Sequence, residues 1–110
     1  MSYEMTVGLL VADQETYAQY RKEMRPLLEE AGGSFRYDFD VARTLQSENG
    51  ADINRAFVLK FPSQSNKERF FADPRYVEIK RRLFDPAVKQ RVFIAEYTTD
   101  GSALRPVPTP

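Results

Sequence analysis

From residue 4 to residue 12 the chain alternates. Met5, Val7, Leu9 and Val11 fall on one face of an extended strand, and Glu4, Thr6, Gly8 and Leu10 on the other. This predicts a first strand. The period then lengthens: Tyr17, Tyr20, Met24, Leu27, Leu28 and Ala31 recur at helical spacing and form one apolar stripe. Asp13 stands at the N-cap position, where its carboxylate can accept from an unpaired backbone N–H. Pro26 removes a backbone donor inside the stripe and crowds the preceding turn, which predicts a kink near Lys22. Gly32 and Gly33 end the helix, because glycine takes the left-handed cap geometry without a Cβ penalty.

Alternation returns over residues 34–45, with Phe35, Tyr37, Phe39 and Val41 opposed to Ser34, Arg36, Asp38 and Asp40. Asn49-Gly50 in the polar stretch that follows signals a hairpin. In the partner strand, Phe57, Leu59 and Phe61 face one way and Asn54, Ala56, Val58 and Lys60 the other. Pro62 stops it. Ser65 and Glu68 have the spacing of a capping box, opening a short helix that carries Phe70 and Phe71. Asp73-Pro74 restarts the helix, since proline is tolerated at a first helical position. Tyr76, Ile79 and Leu83 form the next stripe, and Asp85-Pro86 marks its end. Residues 91–98 read as a last strand, with Val92 and Ile94 against Phe93, Ala95 and Tyr97.

The order β-α-β-β-α-β predicts an α+β, ferredoxin-like sandwich: a four-stranded antiparallel sheet with two helices on one face. Residues 1–98 make one domain, and the proline-rich residues 99–110 an extended or mobile tail. The uncovered sheet face carries Gly8, Leu10, Ala56, Val58, Phe93, Ala95 and Tyr97. So apolar a surface predicts a homodimer formed by a two-fold contact between like faces; the rival is a monomer with an exposed patch.

Composition narrows the chemistry. Sixteen basic and 16 acidic side chains leave no surplus of positive charge for nucleic acid. The absence of cysteine and histidine removes thiolate catalysis, Ser-His-Asp arrangements and nearly all zinc sites, so neither a metal nor a cofactor is expected. No run approaches the ~20 apolar residues of a membrane span, and no basic leader opens the chain, so a cytoplasmic protein with no membrane partner is expected.

The run YAQYRKEMRPLLEEAGGSFRYDF, residues 17–39, resembles the first helix and second strand of the domain-of-unknown-function 1330 family. FPS at 61–63 resembles that family's strand-to-helix junction. ADPRYVEIKRR at 72–82 resembles its segment of proline, tyrosine and a following arginine, which falls on Pro74, Tyr76 and Arg82. The resemblance spans about residues 4 to 98. It implies a dimeric α/β barrel, the superfamily that also holds cofactor-free antibiotic oxygenases, lactone isomerases and haem-dependent peroxidases. The absence of tryptophan and histidine departs from the haem-binding and oxygenase constellations.

Candidate chemistry lies with few residues. The hydroxyls of Tyr17, Tyr20 and Tyr76 can donate to an oxyanion, or their rings can simply pack. Arg82 can hold a carboxylate, or pair with an acidic neighbour. Asp38 and Asp40, two apart on one strand, share a face with Arg36 at roughly 7 Å and can divide acid and base roles or serve as edge-strand charge. Asn54 can orient a ligand. The leading expectation is a homodimeric small-ligand-binding or structural domain, with Tyr17, Asn54 and Arg82 as ligand-binding candidates. The alternative is a cofactor-independent enzyme of the oxygenase or isomerase class acting on a small acidic or aromatic substrate. It would place Tyr20, Tyr76 and Arg82 at a pocket between helices and sheet.

Overall fold

A computed structural model describes residues 1–100. In chain order it comprises β1 (Ser2–Val11), α1 (Gln14–Glu30), β2 (Ser34–Asp40), β3 (Arg55–Phe61), α2 (Gln64–Ala72), α3 (Pro74–Ile79) and β4 (Val88–Thr99). A π-helical turn, Lys80–Phe84, continues α3. The strands pair antiparallel in the order β2-β3-β1-β4, the ferredoxin-like arrangement, with the helices over one face. The second helical layer is split at Asp73-Pro74, where the Asp73 carboxylate caps α3. β4 reaches Thr99; the expectation of a mobile tail falls mainly on residues 101–110, outside the described residues.

Central β1 sends Met5, Val7, Leu9 and Val11 into a core completed by Met24, Leu28, Phe57, Leu59, Phe61 and Phe70. α1 starts where Asp13 accepts from the Thr16 N–H and runs uninterrupted through Pro26. It ends at Gly32, whose φ of 79° requires glycine-like freedom. Gly33 serves a different need. A Cβ there would sit 2.5 Å from Leu28 Cδ1 and 2.9 Å from the Phe61 ring, both buried. Gly33→Ala is therefore expected to destabilise the fold by about 1–3 kcal/mol through overpacking, read as a lower urea midpoint.

Several local expectations are corrected. The cap of α2 is Ser63, not Ser65, and the residue paired with it is Asn66, not Glu68. Asn66 also donates to the Ala31 carbonyl, tying α2 to the end of α1. The π-helical turn closes with the Asp85 N–H on the Lys80 carbonyl, 2.9 Å. One extra residue per turn rotates Phe84 into the core and leaves Leu83 half-buried.

β2 ends at Asp40 rather than reaching residue 45. Residues 41–54 form a long connection, not a tight hairpin, and Ile53 closes over Gly8 at one end of the open sheet face. Asn54 fastens this connection: its side chain accepts from the Val11 N–H (2.8 Å) and donates to the Val11 carbonyl (2.9 Å).

Two bulges revise which residues share a face. Pairing of β2 with β3 slips between Phe35 and Tyr37. Phe35, opposite Leu59, thus faces the helices, whereas Tyr37 and Phe39, opposite Val58 and Ala56, lie on the open face. Arg36 reaches Glu4 on that face, while Asp38, opposite Phe57, points to the helices; the two do not share a face. β1–β4 pairing slips between Thr6 and Val7, leaving Ile94 unpaired. Phe93 therefore turns to the helix side opposite Val7, and only Ala95 and Tyr97 of the expected β4 set remain on the open face.

Candidate ligand cavity

The helices do not seal the sheet. Between them lies a cavity of about 540 Å³, floored by Met5, Leu9 and Leu59 and walled by Met24, Phe71 and Phe84. Most of the lining surface is apolar, although Arg21, Lys67, Glu68, Lys80, Arg91 and Glu96 also reach it. Within it lies a pair of tyrosines, Tyr20 from α1 and Tyr76 from α3, whose hydroxyls meet at 2.7 Å. Tyr20 stacks on Tyr17 with ring centroids 5.6 Å apart and leans on Phe84 at 5.1 Å. Tyr76 packs on Phe70 at 4.5 Å.

Two hydroxyls carry two protons, and the bond between them uses one. The second O–H has no protein acceptor among the described residues and belongs to groups that line the cavity. Both phenols stay protonated at neutral pH. Burial pushes Tyr20 well above the ordinary range, and burial pushes Tyr76 up to about 12 against the opposing pull of the Tyr20 hydrogen bond and the Arg91 charge. The pair is a neutral hydrogen-bond donor, not a proton-abstracting base.

The sign of this shift sets a pH dependence. A phenol whose folded pKa is raised stabilises the fold fully below its unfolded value and loses that contribution as pH climbs through the folded value. For Tyr76 the window runs from 10.0 to about 12. The urea midpoint is expected to fall across this window, and to fall less in a Tyr20→Phe/Tyr76→Phe variant. Identical declines in the two proteins would contradict the assignment.

Arg82 does not join the tyrosines. It lies on the outer surface, paired with Glu23 at 2.6 Å, and does not line the cavity. The expected convergence of Tyr20, Tyr76 and Arg82 thus holds for the first two only. Tyr17 is fully buried beside the cavity, with its hydroxyl accepting from Arg21 Nε at 2.7 Å. Asn54 is occupied with Val11 and lies elsewhere. Asp38 and Asp40 are not an acid–base couple. Partial burial works to raise the Asp38 pKa, but hydrogen bonds from Arg55 and Arg21 outweigh it and hold the carboxyl below its ordinary value, while Asp40 is exposed.

The cation that reaches the cavity from α1 is Arg21, which is not among the candidates expected from the sequence. It is buried, lies 4.0 Å from the Phe35 ring centroid and 4.8 Å from that of Phe57, and binds Asp38 at 2.9 and 3.2 Å. A signal existed: residues 17, 21, 24 and 28 fall on one helical face, so a basic residue at position 21 must be buried with a partner. Arg91 and Lys80 stand at the rim. Among the described residues, no group of three or more acidic side chains is placed to hold a metal ion, and no helix is long and apolar enough to cross a membrane.

A family model described as "Domain of unknown function (DUF1330)" matches residues 5–97. No curated protein matches the chain. Among solved structures, a protein of unknown function from Rhodopseudomonas palustris superposes with a TM-score of 0.74 at 20% identity, covering 96% of this chain and 84% of the other. A dabb family protein with a ferredoxin-like fold from Mesorhizobium loti gives a TM-score of 0.58 at 17% identity, covering 91% and 98%. A dimeric protein of unknown function and ferredoxin-like fold from Bacteroides fragilis gives 0.52 at 12% identity, covering 89% and 96%. At these identities the likeness is one of fold.

Proposed function

We propose that this chain, which belongs to the DUF1330 family, is a homodimeric domain that holds a small, largely apolar molecule between its sheet and its helices. The observation that carries the ligand is the Tyr20–Tyr76 pair, which has an O–H to spare inside an apolar cavity of about 540 Å³. Protein interiors ordinarily close such space and satisfy such donors, whereas ligand sites leave a few polar groups in an apolar concavity.

Pairing is supported by the open sheet face. Tyr37 and Phe39 are stacked there, 5.8 Å apart, and stay 41% and 54% exposed, with Tyr97 at 40%. The buried charge on this face is already matched, since Glu4 holds Arg36 at 2.8 and 2.9 Å, while Lys60 at its margin is exposed. A second copy could therefore cover the aromatic surface without stranding the Glu4–Arg36 pair. The Bacteroides fragilis protein, described as dimeric, lends weight to this. The proposal sets the dimer in the cytoplasm, without nucleic-acid or membrane partners.

Binding is favoured over chemistry. A cofactor-independent isomerase or oxygenase could use the spare O–H to steady an oxyanion, but Arg82, which that reading also required, faces solvent. A crystal structure of protein purified without added ligand tests the proposal. It predicts a compact molecule in contact with the hydroxyl pair; a cavity filled only by ordered water would overturn it.

A further inference from the structure

We propose that Arg91, together with the Tyr20–Tyr76 hydroxyl pair, anchors the charged head of a small aryl or alkyl carboxylate in the cavity. This rests on the cavity being a ligand site. Four basic side chains line it: Arg21, Lys67, Lys80 and Arg91. Three are neutralised in place, Arg21 by Asp38 at 2.9 Å, Lys67 by Glu96 at 2.9 Å and Lys80 by Asp85 at 2.8 Å. Arg91 has no carboxylate partner among the described residues. Glu68 of α2 also lines the cavity and makes no ion pair with it.

Arg91 is nonetheless placed. On β4 it sits opposite Leu9, on the helix side of the sheet. Its guanidinium lies 4.9 Å from the Phe93 ring centroid and 5.9 Å from that of Phe84. Aromatic faces orient the planar fork without occupying its N–H donors. Its charge also bears on the Tyr76 hydroxyl, which puts the two groups in one electrostatic neighbourhood. One unpaired guanidinium and one neutral O–H match a planar monoanion that accepts two or three hydrogen bonds, which is a carboxylate; a dianionic phosphate would call for more cations. Most of the remaining lining surface is apolar and suits an aromatic or aliphatic body.

Calorimetric titration with 2-naphthoate and its neutral isostere 2-naphthamide separates the possibilities. The anion is expected to bind the wild-type protein about tenfold or more tightly than the amide. Arg91→Gln is expected to abolish that preference by weakening naphthoate binding about tenfold, with the variant's fold checked by its urea midpoint. Equal affinities in the wild-type protein, or a preference that survives Arg91→Gln, would overturn the anchor and leave the cavity reading standing. Failure of both compounds to bind would overturn the cavity reading and the anchor with it.

Discussion

Asp38→Ala is expected to destabilise the fold by about 3 kcal/mol, measured by urea unfolding. Asp38 accepts from Arg21 at 2.9 and 3.2 Å and from Arg55 at 3.0 and 3.1 Å. Its removal strands the guanidinium of Arg21, a residue with only 7% of its surface exposed, among Tyr17, Phe35 and Phe57. Those ring faces and the Tyr17 hydroxyl soften the loss but supply no counter-charge. The opposite deletion behaves differently. In Arg21→Met an apolar side chain occupies an apolar slot, and Asp38 keeps Arg55. The loss is expected to be less than half that of Asp38→Ala, and equal losses would contradict this account of the pair. The depressed Asp38 pKa gives the same cluster an acid limit: its contribution is full above the ordinary carboxyl value of 3.8 and is lost as pH falls through the lower folded value.

Phe39→Glu is expected to convert the proposed dimer to a monomer, weakening self-association about 100-fold or more in sedimentation equilibrium. Phe39 is more than half exposed in the single chain and stacked on Tyr37, so a charge there does little to the isolated fold. In a face-to-face dimer the same carboxylate would be buried beside aromatic rings with no partner. The variant should therefore unfold at close to the wild-type monomer's urea concentration while losing its partner. An unchanged association constant would show that the open sheet face is not the contact.

The legible parts of this fold were those written in short stretches of chain. Asp13 as an N-cap, Asp73-Pro74 as a restart and the alternation of β1 each need only local chemistry, and each stands as read. The bulges at Arg36 and Ile94 were not legible, because an unpaired residue is a property of two strands together; alternation in one strand says nothing of its partner's register. That is why Phe93 moved to the helix side and Tyr37 and Phe39 to the open face.

In the cavity, Tyr20 and Tyr76 were legible as candidates, and their meeting at 2.7 Å is the structure's addition. At α-helical spacing six residues fall about 120° short of two full turns, and the π-helical turn from Lys80 widens the offset, so Tyr76 and Arg82 point to different sides. Arg21 sets a charge within the apolar stripe of α1, so apolar periodicity alone does not mark it as buried. Arg91 gives no local signal at all; only the sheet register places it beside Phe84 and the tyrosines.

The central claim is that the space between sheet and helices is a binding site. The chain's three methionines report on it directly. Met5 and Met24 line the cavity, whereas Met1 is 88% exposed and serves as an internal control. In a methyl-resolved NMR titration with 2-naphthoate, the Met5 and Met24 resonances are predicted to shift saturably while Met1 stays in place. Met5 and Met24 resonances that do not move, or move no more than Met1, would contradict it.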